Sequence, residues 1–341
     1  MKKIVIFISL ILMIFIVGCS TKDVDNPISR TEIIMGTTVG VTLYENGSEE
    51  VLDKVFKRVQ EIENLVSINK EETEIDKLNE NAGISPVKLS DSSFEIIEKA
   101  LYYSKLSTGG YDLTVGPLVK LWNIGLEGAK VPTPEEISNT LPLIDYNSLE
   151  LNKEGQTIFL TKKNMMIDLG SIAKGYAADE ISKILAENNV HSAIINLGGN
   201  VYAHGEKIDG SDWKIGIQNP FNERGNIVGL VKVKNKTVVT SGIYERYIEQ
   251  DGVKYHHLLD PKTGYPFDNN IAGVSIITDK SIDADALSTI VFSKGVDEGL
   301  KFVEDLPNVD AIFITKDNKI YLSKGIKNIF ELQNEDFTLA N

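Results

Sequence analysis

The chain has 341 residues, 42% of them hydrophobic, and a formal net charge of −14. That length and apolar content support a large core, as one big domain or two closely merged ones. So acidic a body argues against nucleic acid as a partner, and an anionic ligand would depend on a local remedy: a metal ion, a lysine or helix N-terminal amides.

Lys2 and Lys3 precede an apolar run from Ile4 to Val17, broken only by Ser9. The run is shorter than the roughly 20 residues of a membrane helix and fits the h-region of a signal peptide. It ends IVGCS, and Cys19 is the only cysteine. A small residue before a lone Cys at this place resembles the lipobox of bacterial lipoproteins. The reading is a signal over residues 1–18, then a lipidated Cys19 that anchors the chain to a membrane. A plain signal peptide with an incidental Cys and an uncleaved anchor are the alternatives. Losing Lys2 and Lys3 takes the net charge to −16. With no spare thiol there is no disulfide, and stability rests on packing. Residues 19–30 are read as lipidated Cys and tether, polar from Thr21 to Pro27.

Residues 31–44 alternate like a strand with a Gly-containing bend. Leu52, Val55, Val59, Ile62 and Val66 recur at spacings of three and four, an amphipathic helix. SSFEIIEKALYYSKL reads as a second helix, with Ser92 and Glu95 as a capping box. The Gly- and aromatic-rich stretch 108–125 reads as a loop and a short helix, and TPEEI opens another. TIFL and MMIDL read as strands. GSIAKGYAADEISKILAEN is a helix starting near Gly170 and Ser171, with Ser171 as N-cap. SAIINLGG, WKIGIQNP, IVGLVKV, TVVTSG and IAGVSIIT follow as strands. DADALSTIVFSKG is a helix begun by Asp283 and Asp285, AIFITKDNKIYLS a hairpin, and 331–341 a C-terminal tail. The outline is α+β, an antiparallel meander with helices on one face.

Three stretches carry chemistry. In IDLGSIAKGYAAD a strand runs into a helix whose free amides suit a phosphate. Lys174 in the first turn opposes the helix dipole unless an anion arrives. The plainer reading is close strand-to-helix packing. In DADALST, Asp285, Ser288 and Thr289 share one helix face, and all three offer hard oxygen donors suited to Mg²⁺ or Ca²⁺. The plainer reading there is capping acids and back-bonded hydroxyls. HHLLDPKTGYP pairs His256 and His257 with an Asp-Pro-Lys-Thr turn. Extended neighbours point to opposite faces, so one of the two serves a given site. No zinc spacing accompanies them, which leaves a general base or a ligand contact. There is no GxxxxGK[ST], no GxGxxG and no GxSxG.

Taken in order, MGTTV, GGYDLTVGPLVKLW, IDLGSIAKGYAAD, NLGGNVYAHG, WKIGIQNP, TSGIYERY, HHLLDPKTGYP and DADALST resemble the ApbE family of FAD:protein FMN transferases, over Thr31 to Leu322. The resemblance implies a T-fold-like core of antiparallel sheet with packed helices plus an added helical part, spanning 31–330. It implies Mg²⁺-dependent cleavage of FAD, with FMN joined through a phosphoester to a Thr or Ser hydroxyl of an acceptor flavoprotein and AMP released.

Residue by residue, it places the metal at the Ala173 carbonyl and at Asp285, Ser288 and Thr289. It places flavin-nucleotide contacts at Met35, Gly110, Tyr111, Asp112, Gly170, Lys174, Tyr176 and Leu259. The family's histidine lies three before the Asp-Pro, which matches His257 and leaves His256 facing away. His257 then orients the pyrophosphate or takes the proton. One departure stands out: Ile68 and Asn69 occupy the place where many members carry a stacking aromatic, with an aliphatic face left to pack on a ring. Acceptors of the family are electron-transport subunits or secreted flavoproteins, and the lipid anchor puts the enzyme on the outer face of the cytoplasmic membrane. A Mg²⁺-dependent FAD pyrophosphatase using water as acceptor, and a non-enzymatic flavin-binding lipoprotein, are the rival readings.

Overall fold

The computed structural model describes residues 26–341. The signal, Cys19 and most of the tether lie outside the described residues. Nine strands form the central sheet: β1 (Ile28–Ile34), β2 (Thr37–Leu43), β3 (Ser192–Leu197), β4 (Asn200–Gly205), β5 (Lys236–Gly242), β6 (Ile271–Thr278), β7 (Asp310–Thr315), β8 (Lys319–Leu322) and β9 (Thr338–Leu339). Their order across the sheet is their order in the chain. All pairs are antiparallel except β8 with β9. Seven α-helices accompany them among the described residues: α1 (Glu49–Val66), α2 (Glu74–Glu80), α3 (Asp91–Leu106), α4 (Gly116–Trp122), α5 (Pro134–Thr140), α6 (Ala173–Glu187) and α7 (Ser281–Glu304). None of the described helices is long and apolar enough to cross a membrane.

The apolar stripe of α1 is buried from Val51 to Val66, and the Ser48 hydroxyl accepts from Val51 N at the helix start. The helices cover one face of the sheet, as the sequence predicts. The other face is covered as well. Successive residues alternate between two cores: Val239, Ile276 and Phe313 face the helices, while Val238, Ile277 and Ile312 face a second cluster. That cluster is closed by a three-stranded sheet of Trp213–Gln218, Ile227–Val233 and Phe330–Leu332. Every residue of β6 is buried. An apolar run without polar alternation is what a strand covered on both faces requires.

Several expected boundaries move. Residues 31–44 form a hairpin, not one bent strand, because Met35 and Gly36 both take positive φ (56° and 67°). That pair of conformations makes the tight turn favoured between antiparallel strands. β1 begins at Ile28, inside the stretch read as tether, and 331–341 is no free tail, since β9 pairs with β8. The cap of α3 is Ser90, whose hydroxyl accepts from Ser93 N and donates to Glu74. Ser92 instead accepts from Arg58 and Tyr176. MMIDL makes one bridge, Met166 to Val115, and no strand.

Candidate active site

The starts of α6 and α7 cross. Neither helix has a local side-chain cap: Ile172 precedes α6 and Lys280 precedes α7. This corrects the expectation that Ser171 caps α6 at Gly170–Ser171, and that Asp283 and Asp285 begin α7. The amides are satisfied across the crossing. Asp285 on α7 accepts from Gly175 N on α6 at 2.9 Å. Asp179 on α6 accepts from Ser281 N at 2.8 Å and Ile282 N at 2.9 Å on α7. The approach is close enough that a Cβ on Gly175 would stand 2.2 Å from the Ser281 carbonyl oxygen.

Asp285 is 4% exposed, yet no cation sits tightly on it. Lys174 Nζ stands 3.5 Å from each carboxylate oxygen and donates to the Gly170 carbonyl at 2.9 Å. One helical turn on, Ser288 Oγ donates to the Asp285 carbonyl at 2.7 Å and lies 2.8 Å from Ser241 Oγ. Ser288 is therefore back-bonded, as the plainer reading has it, and also linked to β5. Thr289, four residues after Asp285, lies on the Asp285 side of α7. Among the described residues no group of three or more His, Cys, Asp or Glu gathers to hold a metal. A cation at this place would rest on one carboxylate, two hydroxyls and the Ala173 carbonyl. That donor set is all oxygen and suits a hard divalent ion.

Tyr111 lies near Asp285 and Asp168. Its side chain is buried (3% exposed), and its hydroxyl has no hydrogen-bond partner among the described residues. Burial, followed by the Asp285, Asp168 and Asp112 charges, pushes its pKa up, against the neighbouring Ser171 hydroxyl, so it stays a neutral donor. Asp168 is also desolvated and its pKa raised, with Oδ1 accepting from Gly170 N at 3.0 Å.

The two histidines divide as the alternation predicts. His256 is buried: Nε2 meets the Phe267 carbonyl at 3.1 Å, Nδ1 accepts from Leu258 N, and the ring stands edge-on to Phe292. His257 turns to the Arg246 carbonyl, 3.3 Å from Nδ1. Donation from Nδ1 leaves Nε2 with its lone pair. Desolvation, then the Arg246 guanidinium, brings His257 down to about 3, while desolvation brings His256 down to about 4. Both rings are neutral at pH 7.

Other expected contacts are arranged differently. Asp112 has both carboxylate oxygens engaged within the protein, Oδ1 by Thr114 and Oδ2 by Tyr146 N. The Tyr176 hydroxyl reaches Ser92 on α3 at 3.1 Å, not Asp285. Leu259 packs among Leu118, Trp122 and Ile137. Met35 sits at the hairpin turn, its amide held by Glu63 at 2.7 Å. Gly110 lies against Ser293 and borders a cavity of about 660 Å³ walled by the 260–269 turn and the bend of α7 at Gly295. Ile68 is buried and offers no open aliphatic face, while Asn69 is exposed and held by Lys120. Asp168, Asp179 and Arg246 were not singled out from the sequence. The signal for Asp179 was an acid beside the small residues Gly175, Ala178 and Ser182 of one helix face.

Sheet, helix crossing and site define an α+β protein that gathers one buried carboxylate, a lysine and a neutral histidine-bearing turn around helix N-termini. The chain belongs to the ApbE family, whose model matches residues 35–313. A FAD:protein FMN transferase of Klebsiella pneumoniae is 38% identical, over 86% of this chain and 91% of its own. One from Treponema pallidum is 35% identical, over 91% of each. The ApbE protein of Thermotoga maritima superposes with a TM-score of 0.82 at 29% identity, covering 89% of this chain and 99% of its own. The flavin transferase ApbE of Vibrio cholerae gives 0.80 at 25% identity, with the same coverage.

Proposed function

We propose that this chain is a Mg²⁺-dependent FAD:protein FMN transferase. It joins FMN from FAD to a Thr or Ser hydroxyl of an acceptor flavoprotein and releases AMP. The observation that carries the reading is the buried Asp285 carboxylate, met by one amide and a stand-off lysine, with the unpartnered Tyr111 hydroxyl beside it. A buried charge so sparsely paired is costly unless a partner arrives. The oxygen donors Asp285, Ser288, Thr289 and the Ala173 carbonyl fit Mg²⁺, which would neutralise charge and polarise phosphoryl oxygens when bound.

Lys174, which stands beside Asp285, offsets part of the negative charge of the pyrophosphate. The backbones of Gly110, Tyr111, Asp112 and Gly170, with Met35, Tyr176 and Leu259, hold the nucleotide. The acceptor oxygen attacks the FMN-side phosphorus in line. One P–O bond forms, the pyrophosphate P–O bond breaks, and AMP leaves with the electron pair. His257, neutral with Nε2 available, takes the hydroxyl proton. The lipobox-like IVGCS supports lipidation of Cys19 and a place on the outer face of the cytoplasmic membrane.

The test is mass spectrometry of a candidate acceptor domain incubated with FAD, Mg²⁺ and the chain from Ser20 onward. One added FMN on the acceptor, lost with Asp285→Ala, supports the transferase. AMP and free FMN with an unmodified acceptor would indicate a pyrophosphatase. FAD bound and uncleaved would indicate a binding protein.

A further inference from the structure

We infer that Asp179 is a positioning residue for the metal-ligating turn of α7, an inference that rests on the metal reading of Asp285 above. The two helix starts exchange caps. On α6, Gly175 supplies an amide and Asp179, four residues on, a carboxylate. On α7, Ser281 and Ile282 supply amides and Asp285, four residues after Ser281, a carboxylate. Neither helix has a side-chain cap of its own, so a carboxylate of each meets first-turn amides of the other. Asp179 satisfies the first two amides of α7 and thereby sets both its axial position and its rotation. Asp285 lies one turn along the same rigid helix, so its carboxylate is aimed by Asp179.

The sheet holds the other side of the joint. Ser281 Oγ donates to Asn200 Oδ1 at 2.7 Å and lies 3.1 Å from Thr237 Oγ1. Gly175 leaves no slack between the helices, as its missing Cβ shows. Asp179 itself touches amides three or more residues from any proposed ligand. It acts through Asp285 and is not a ligand.

The experiment titrates the full-length chain in detergent with Mn²⁺, followed by the loss of the free-ion electron paramagnetic resonance signal. The wild type is compared with Asp179→Asn and Asp285→Ala. The Asn variant keeps one acceptor and turns an NH₂ toward the other amide. The inference expects its Mn²⁺ dissociation constant to rise about tenfold or more, the range in which supporting residues of metal sites act. Turnover at saturating metal should return close to the wild-type value. If the Asn variant melts lower but binds Mn²⁺ as tightly as wild type while Asp285→Ala does not bind, Asp179 is only structural and the inference fails. If the wild type itself binds no Mn²⁺, with or without FAD, the metal reading fails and this inference with it.

Discussion

Lys174 Nζ stands 3.5 Å from both oxygens of Asp285, equidistant and short of contact, while the Gly175 amide takes one of those oxygens at 2.9 Å. The carboxylate is thus steered by a backbone group and only loosely neutralised. Its two jobs, capping α6 and awaiting a cation, can be separated by measuring stability without metal and transfer with it.

Asp285→Ala should abolish metal-dependent FMN transfer. It should also cost about 1 kcal/mol in metal-free stability, the usual worth of a helix N-cap. Urea midpoints measured in excess chelator check the second part, and acceptor mass spectra check the first. Full transfer activity in the variant would remove Asp285 from the site.

Gly175→Ala tests the crossing. The added methyl would stand 2.2 Å from a main-chain oxygen, so one helix must move. Overpacking of this kind costs typically 1–3 kcal/mol. A lower melting temperature together with weaker metal activation is the expected result. An unchanged melting temperature would show the helices free to separate.

Tyr111→Phe should act in opposite directions on stability and turnover. An unsatisfied buried hydroxyl costs roughly 1–3 kcal/mol, so its removal stabilises the ligand-free protein by up to that amount. The hydroxyl is the natural donor to a phosphoryl oxygen of the substrate, so transfer falls. Chemical denaturation and single-turnover rates on the same preparation separate the two effects.

The histidines set a pH dependence. His256 and His257 fall from their ordinary 6.5 to about 4 and about 3 in the folded chain. Between those values and 6.5 the unfolded chain binds more protons, so stability is full above pH 6.5 and drains away as pH falls. Asp179, raised by desolvation to about 6, works the other way. Its effect favours folding at low pH and fades as pH rises through 6. Stability of His256→Gln should therefore drop less than that of wild type between pH 7 and 4, by up to about 3 kcal/mol. His257→Ala should cut transfer far more than His256→Ala does per folded molecule, with no inflection near pH 6.5 in the wild-type rate profile. Equal losses would end the assignment of His257.

What could be read from the sequence was local. The stripe from Leu52 to Val66 and the Asp285–Ser288–Thr289 spacing depend on helix period alone. The alternation of His256 and His257 depends on strand period alone, and the structure keeps all three. Most of the failures share one cause, a partner distant in sequence. Ser171 and Ser92 look like caps, but Asp285, 110 residues from Gly175, caps α6, and the Glu74-supported Ser90 caps α3. The Met35–Gly36 turn was missed because Met rarely adopts positive φ. The second sheet behind β6 left a trace only in the mostly apolar run IAGVSIIT. The roles of Asp112 and Tyr176 differ in the free chain because their polar atoms are already engaged, which no spacing rule reveals.

Strand order follows chain order, yet β2 and β3 are neighbours joined through everything between Leu43 and Ser192, α1 to α6 included. Closing so long a loop is entropically late, whereas β5 through β8 are linked by shorter connections. α6 runs into β3 through four residues and α7 follows β6 closely, so both helices belong to the part of the chain assembled through short connections. The Gly175–Asp285 contact therefore does not wait for that closure, and a chain stalled before it would hold the helix crossing but lack the Met35 hairpin docked beside it.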